Sequence, residues 1–182
     1  MNKIIAVVGM CGAGKSVACE YLESIGYQKV YFGGVTMDKL KEANLEDTPE
    51  NEKMMREKLR EEYGMAAFAI VLLPKIRELA NKGDVVLDGL YSWDELKVLQ
   101  QEFAGEIKVL AVTADKDLRY QRLSVRQPRT LTNEQAKDRD ISEIENIAKA
   151  GPIAYADYYV LNNGSVEDFH NRLKEILKNL GE

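Results

Sequence analysis

Eight consecutive residues, Gly9-Met10-Cys11-Gly12-Ala13-Gly14-Lys15-Ser16, satisfy every fixed position of the pattern G-x-x-x-x-G-K-[ST]. Each residue type has a chemical reason to stand where it does. Glycines let the backbone adopt φ > 0 and bring its N–H groups against a phosphate, where a side chain would clash. Lys15 supplies a point charge for β- and γ-phosphates and Ser16 a hydroxyl for Mg2+, while a helix starting there adds the positive end of its dipole. The flanks agree with this reading. The apolar run Ile4-Ile5-Ala6-Val7-Val8 precedes the loop, and Ala18, Tyr21, Leu22 and Ile25, closed by Gly26, follow at helical spacing. This is a P-loop, and Gly9, Met10, Cys11, Gly12, Ala13, Gly14, Lys15, Ser16 and Val17 are expected to cradle nucleotide phosphate.

Two further groups of residues suit the same chemistry. Asp84-Val85-Val86-Leu87-Asp88-Gly89 ends an apolar strand with a carboxylate, where a P-loop protein places its second Mg2+-organising or catalytic acid. Asp88 is expected in that role; an acceptor hydroxyl binding there and a plain strand-end turn are the alternatives, and Asp84, at the strand's other end, reads as turn chemistry. Of nine arginines, five fall between positions 119 and 139: Arg119, Arg122, Arg126, Arg129 and Arg139. The first three are spaced to share one helix face, and no acidic residue interrupts Arg119 to Arg129. Such a block suits a clamp on the charge shared between phosphoryl donor and acceptor, solvated surface arginines being the alternative. Arg119 equally suits a structural ion pair. In Asp138-Arg139-Asp140, Arg139 is expected to face the site while the flanking aspartates fix it or the lid. Asn162-Asn163-Gly164-Ser165 reads as a turn with Ser165 as a helix N-cap, and Ser92 after Tyr91 as another. The single histidine, His170, lies in an amphipathic helix pattern, which argues against histidine catalysis or a histidine metal site.

These residues need a scaffold, and the hydropathy pattern supplies one. Near-continuous apolar runs recur at Ile4 to Val8, Gln28 to Phe32, Val85 to Asp88, Ile107 to Thr113 and Tyr158 to Leu161, with helical patterns between most of them. That alternation predicts an α/β fold, a parallel sheet with helices on both faces. Two connections are long. One reads as short helix Val35 to Ala43, charged helix Pro49 to Tyr63 and amphipathic helix Met65 to Ala80; the other, Asp115 to Ala150, as an arginine-bearing helix, a break at Pro128 and a helix capped by Thr132. Both follow strands whose C-terminal ends face the ligand edge of such a sheet, so they are expected to cover the phosphate and exclude water. The chain of 182 residues, 45% hydrophobic, is expected to form one domain over residues 1–182. A formal charge of -5 and a pI near 5.2 argue against general nucleic-acid or membrane-surface binding, and the absence of a spanning or signal-type segment points to the cytoplasm. Cys11 and Cys19 are too few for a disulfide framework or a metal site and are expected to be reduced.

The order and spacing of these segments resemble the nucleoside-monophosphate-kinase-like branch of P-loop kinases, particularly adenylate-kinase-related and dephospho-CoA-kinase-like proteins. The resemblance rests on the Gly9 to Ser16 loop, Leu87-Asp88-Gly89 with Tyr91-Ser92, Arg119 to Arg126 leading to Lys137-Asp138-Arg139-Asp140, and Ala156-Asp157 running to Ser165. It implies a three-layer α/β/α P-loop NTPase fold with a five-stranded parallel sheet, an acceptor-side helical insertion (about 33–80) and a lid (about 115–150), with ATP and Mg2+ as cofactors. It assigns Lys15 and Ser16 to phosphate and metal, Asp88 to the metal and acceptor region, and Arg122, Arg126 and Arg139 to the lid as catalytic arginines. The implied activity is phosphoryl transfer to a small nucleotide-like acceptor. Dephospho-CoA kinase and a regulatory ATPase with a protein partner are the alternatives. One position departs from the pattern: relatives place an acceptor-gripping arginine about where this chain has Met37, leaving Lys39, Arg56 or Arg60 to replace it.

Overall fold

The computed structural model describes residues 2–127 and 130–181; Pro128 and Arg129, expected above as a helix break and a clamp arginine, lie outside the described residues. The chain runs β1 (Ile4–Val8), α1 (Lys15–Ser24), β2 (Gln28–Tyr31), α2 (Gly34–Glu42), α3 (Pro49–Tyr63), a 3-10 turn (Gly64–Ala66) and α4 (Ala67–Ala80). It continues through β3 (Val85–Asp88), α5 (Trp93–Glu102), β4 (Ile107–Thr113), α6 (Lys116–Val125), α7 (Asn133–Ile147), α8 (Ala150–Ala154), β5 (Tyr158–Leu161) and α9 (Val166–Asn179). The strands form one parallel sheet in the order β2-β3-β1-β4-β5. Central β1 is buried along its whole length, which explains why its sequence is apolar at every position instead of alternating.

Successive strand residues point to opposite faces. Ile4, Ala6 and Val8 pack with Val30, Leu87 and Val109 against α2 to α5, whereas Ile5 and Val7 pack with Val86, Leu110 and Val112 against α1 and α9. A third, small core of Cys11, Tyr120, Leu123 and Ala136 ties α6 and α7 to the P-loop. The three-layer α/β/α fold is thus present, and the lid has packing of its own. Helix starts follow the caps read from sequence: Ser92, Thr132 and Ser165 each accept from a backbone N–H in the first turn as capping boxes; Thr48 likewise accepts from a backbone N–H at the start of α3. Two expectations need adjusting. The segment expected as one helix from Met65 begins instead as the 3-10 turn and becomes α-helical at Ala67, after Gly64 at φ 73° ends α3. The helices expected as an acceptor-side insertion all reach the main core, α2 through Val35 and Leu40, α3 through Met55 and Leu59, and α4 through Ala67, Ala69, Leu72 and Ile76. Among the described residues, no helix is long and apolar enough to cross a membrane.

Candidate functional site

Between β1 and α1 the backbone folds into a cradle that only these residues permit. Gly9 lies at φ 147°, and a β-carbon there would collide with the Val112 carbonyl oxygen; Gly14 lies at φ 103°, and a β-carbon there would collide with Nδ2 of Asn162. Asn162, at the end of β5, is a brace: its Nδ2 donates to the Ala13 carbonyl at 2.9 Å and its N–H to Thr113 at 2.7 Å. The turn expected at Asn162 to Ser165 is therefore also a support for the P-loop, with Asn163 accepting from the Asp115 N–H at 3.0 Å.

Lys15 opens α1, and its Nζ donates to the Met10 carbonyl at 3.2 Å. Burial, followed by the charge of Lys149, lowers its pKa from the usual 10.5 to about 8. Lys15, exposed Ser16 and Asp88 line one cavity of about 130 Å3. Burial raises the pKa of Asp88 against the opposing pull of Lys29 and Lys15, and the Cys19 thiol hydrogen-bonds its carboxylate. Cys19 and Cys11 are buried and free, and burial pushes the Cys19 thiol up, which makes it inert. Among the described residues no three His, Cys, Asp or Glu side chains gather as a metal site. One hydroxyl and one carboxylate is nonetheless the sparse donor set that suits Mg2+ when phosphates and water supply the remaining ligands, so Ser16 and Asp88 fit that ion.

The arginines divide their work. Arg119, Arg122 and Arg126 do not act as one face, because α6 stops at Val125 and Arg126 is its extended C-cap at ψ 125°. Arg119 turns inward, donating to both Asp140 oxygens at 3.0 and 2.6 Å and to the Cys11 carbonyl at 2.9 Å. It is the structural ion pair that the sequence allowed. Asp140 accordingly fixes Arg119 and not Arg139, and by joining α7 to α6 it holds the lid segment, the second of the two roles expected of the flanking aspartates. Arg122 donates to the Asn162 carbonyl at 2.8 Å and does not line the phosphate cavity, so it supports the loop beside the site. Its Nη1 is buried without a hydrogen-bond partner. Among the described arginines, Arg126 and Arg139 reach the cavity wall.

Sequence reasoning missed two residues that stand beside them. Glu143 binds Arg139 Nε at 3.1 Å and Lys149 Nζ at 2.6 Å. The pairing Arg139 to Glu143, at i,i+4 on α7, was visible as a helical ion pair; the position of Lys149 was not. It follows Ala148, a non-glycine residue at φ 50° and ψ 40°, a conformation costing about 1 kcal/mol or more.

A larger cavity of about 540 Å3 adjoins this one, sharing Tyr31, Tyr91, Arg139 and Glu143 with it. Met37 and Thr36 lie on its wall, and so do Arg56 and Arg60 from α3. Of the three residues expected to stand in for an arginine at Met37, Arg56 and Arg60 line this cavity, while Lys39 pairs with Glu42 at 2.6 Å away from it. Arg56 is paired with Glu52 at 2.8 Å; Arg60 lies 5.9 Å from the Phe68 ring centre, and its Nε is buried without a hydrogen-bond partner.

Sheet order, P-loop, lid and adjoining cavity together define the α/β fold of P-loop kinases. Solved structures agree on the fold. A shikimate kinase from Bacteroides thetaiotaomicron superposes with TM-score 0.62 at 17% identity, covering 97% of this chain and 98% of that one. A dephospho-CoA kinase from Campylobacter jejuni gives TM-score 0.57 at 16% identity, covering 98% and 97%. A family model described as an AAA domain matches residues 5–147. Among curated proteins, a UPF0200 protein of Thermococcus onnurineus is 33% identical over 97% of this chain and 97% of its own length. A UPF0200/UPF0201 protein of Archaeoglobus fulgidus is 33% identical over 99% of this chain, which spans 56% of that protein. The chain belongs to this AAA-domain family and to the UPF0200 proteins.

Proposed function

We propose that the protein is a cytoplasmic, ATP- and Mg2+-dependent kinase that transfers a γ-phosphoryl group to a hydroxyl of a small, nucleotide-like or otherwise anionic acceptor. One observation carries the reading: a second cavity, large enough for a small metabolite and bearing Arg56 and Arg60, opens onto the P-loop cavity through a shared wall. A nucleotide switch that only hydrolyses ATP has no use for that space. The P-loop backbone and Lys15 would hold the phosphates, and Ser16 and Asp88 would hold Mg2+. Bound Mg2+ would neutralise charge between the β- and γ-phosphates. Arg126 and Arg139 would stabilise the transferring group, and catalysis would consist of positioning and charge stabilisation without a covalent enzyme intermediate. A buried donor without a partner costs about 1–3 kcal/mol, so the orphaned Arg60 Nε favours an anionic ligand drawn onto that guanidinium.

Purified protein incubated with ATP, Mg2+ and a panel of nucleoside monophosphates, dephospho-CoA, shikimate and other anionic alcohols should phosphorylate at least one class, read by mass spectrometry. The Lys15→Ala variant is the control and should lose turnover while keeping the fold. Slow ADP release across the whole panel, with no phosphorylated product, would favour the regulatory ATPase instead.

A further inference from the structure

Neither the P-loop nor the acceptor cavity accounts for Lys149. It is 2% exposed, and it lines the phosphate cavity from the turn between α7 and α8. Its Nζ lies 4.8 Å from the centre of the Tyr91 ring and 2.6 Å from Glu143 Oε2. The left-handed Ala148 is what turns it inward, and its own N–H closes the helix end on the Glu143 carbonyl at 3.1 Å. An ammonium is costly to bury, and a strained backbone to deliver it adds to that cost. The delivery point is unfavourable as well, because Lys149 lies close enough to Lys15 to be the main charge lowering its pKa after burial. Two lysines and two arginines face this cavity against the carboxylates of Asp88 and Glu143. Like charges gathered at such cost suit a multiply charged anion as the missing partner.

We propose that Lys149 is a phosphate-contacting catalytic residue that meets the γ-phosphoryl group at the boundary of the two cavities, and that Glu143 is its exchangeable counter-ion. The proposal rests on the reading of the P-loop as an ATP site. Glu143 lines both cavities, and its two carboxylate oxygens hold Arg139 and Lys149. A phosphoryl group offers oxygens to the same two cations. During transfer, the bond from the γ-phosphorus to the β–γ bridging oxygen breaks, with its electron pair leaving on ADP, as the acceptor oxygen bonds to phosphorus and its proton is released to solvent. Lys149 forms no bond; it balances the charge on the moving group.

The test compares affinities for MgADP and for the Mg2+ complex of the non-hydrolysable β,γ-imido analogue of ATP by calorimetry. Lys149→Met should weaken the analogue about tenfold, as expected for one charge-assisted contact, while MgADP changes less than about twofold. Lys149→Arg should retain most of the analogue's affinity, and Glu143→Gln should strengthen it several-fold by removing a competing anion. The double variant Lys149→Met with Glu143→Gln decides the role: a phosphate contact leaves its preference for the analogue over ADP below that of the wild type. A lysine that only neutralised Glu143 would give back the wild-type preference, and that result overturns the proposal. So does a Lys149→Met variant that melts lower with an unchanged preference. If Lys149→Met does not fold, a Glu143→Gln variant that leaves the preference unchanged is sufficient to overturn it. Failure of wild-type protein to bind MgADP would overturn the nucleotide-site reading itself, and the proposal with it.

Discussion

Removing Asp140 should test the link between lid and P-loop more directly than any change in the loop. The Arg119 and Asp140 side chains are 8% and 10% exposed and joined by two hydrogen bonds, with Tyr120 donating to the same carboxylate at 3.2 Å. In Asp140→Ala, Arg119 keeps only the Cys11 carbonyl as an acceptor, and its charge stays buried without compensation. Breaking a pair of this kind costs about 3–5 kcal/mol, which for a chain of this size corresponds to roughly 6–20 °C in Tm. Replacing both members with apolar residues, Arg119→Met with Asp140→Leu, should recover most of that loss, because no charge is left to desolvate. ATP affinity should not recover with it, since the Arg119 hydrogen bond to the P-loop at Cys11 is lost in the double variant too. Urea unfolding of the wild type, Asp140→Ala and the double variant gives the loss and its recovery, and nucleotide titration gives the second readout. If Asp140→Ala costs less than about 1 kcal/mol, or the double variant is no more stable than the single, the pair is not the buried strut described here.

Three other outcomes follow from particular groups. ATP affinity should fall as pH rises through about 8, because Lys15 is charged below that value and neutral above it; a flat titration from pH 7 to 9.5 would refute the enclosed amine. Glu95, 2% exposed, has its pKa raised by burial from 4.5 to about 7 although its carboxylate accepts the N–H groups of Tyr91 and Ser92. The folded state therefore holds a proton that the unfolded state has released between those values. Its stability contribution is complete below about 4.5 and is lost by about 7, so Glu95→Gln should remove that slope and stabilise the protein at pH 8 by on the order of 2–3 kcal/mol, read from denaturant midpoints at several pH values. Arg60→Met should raise the KM for an anionic acceptor at least tenfold with the KM for ATP unchanged, whereas equal effects on both would place Arg60 outside the acceptor cavity.

The sequence made some features legible because they depend on neighbours along the chain. The strands β1, β3, β4 and β5 begin and end where their apolar runs do, and the caps at Ser92, Thr132 and Ser165 require only a hydroxyl followed three residues later by an acceptor. The P-loop is equally local. Features that depend on packing between distant segments were not legible. Arg119 and Asp140 are 21 residues apart, and nothing in either helix pattern says that the lid folds them together. Arg122 and Arg126 share a periodicity that ends where α6 ends, so spacing alone placed both on one working face. Lys149 carried no signal at all, because its burial depends on a left-handed alanine that no residue preference announces. Sequence alone does not choose among Lys39, Arg56 and Arg60 as stand-ins for an arginine at Met37, because which of them shares a cavity wall with Met37 depends on the position of α3.

The Asn162 brace has a bearing on the order in which the protein can assemble. Its contact with Ala13 joins residues 149 apart, and β1 itself lies between β3 and β4, strands formed much later in the chain. The residues that spell the phosphate loop therefore leave the ribosome well before the group that sets the loop's shape. Until then, the early segment has neither its neighbouring strands nor its support, and its apolar run is exposed to whatever surrounds the growing chain. A ligand that needs the finished cradle can act only after β5 and Asn162 have been made, as a seal on the assembled sheet and not as a template for it.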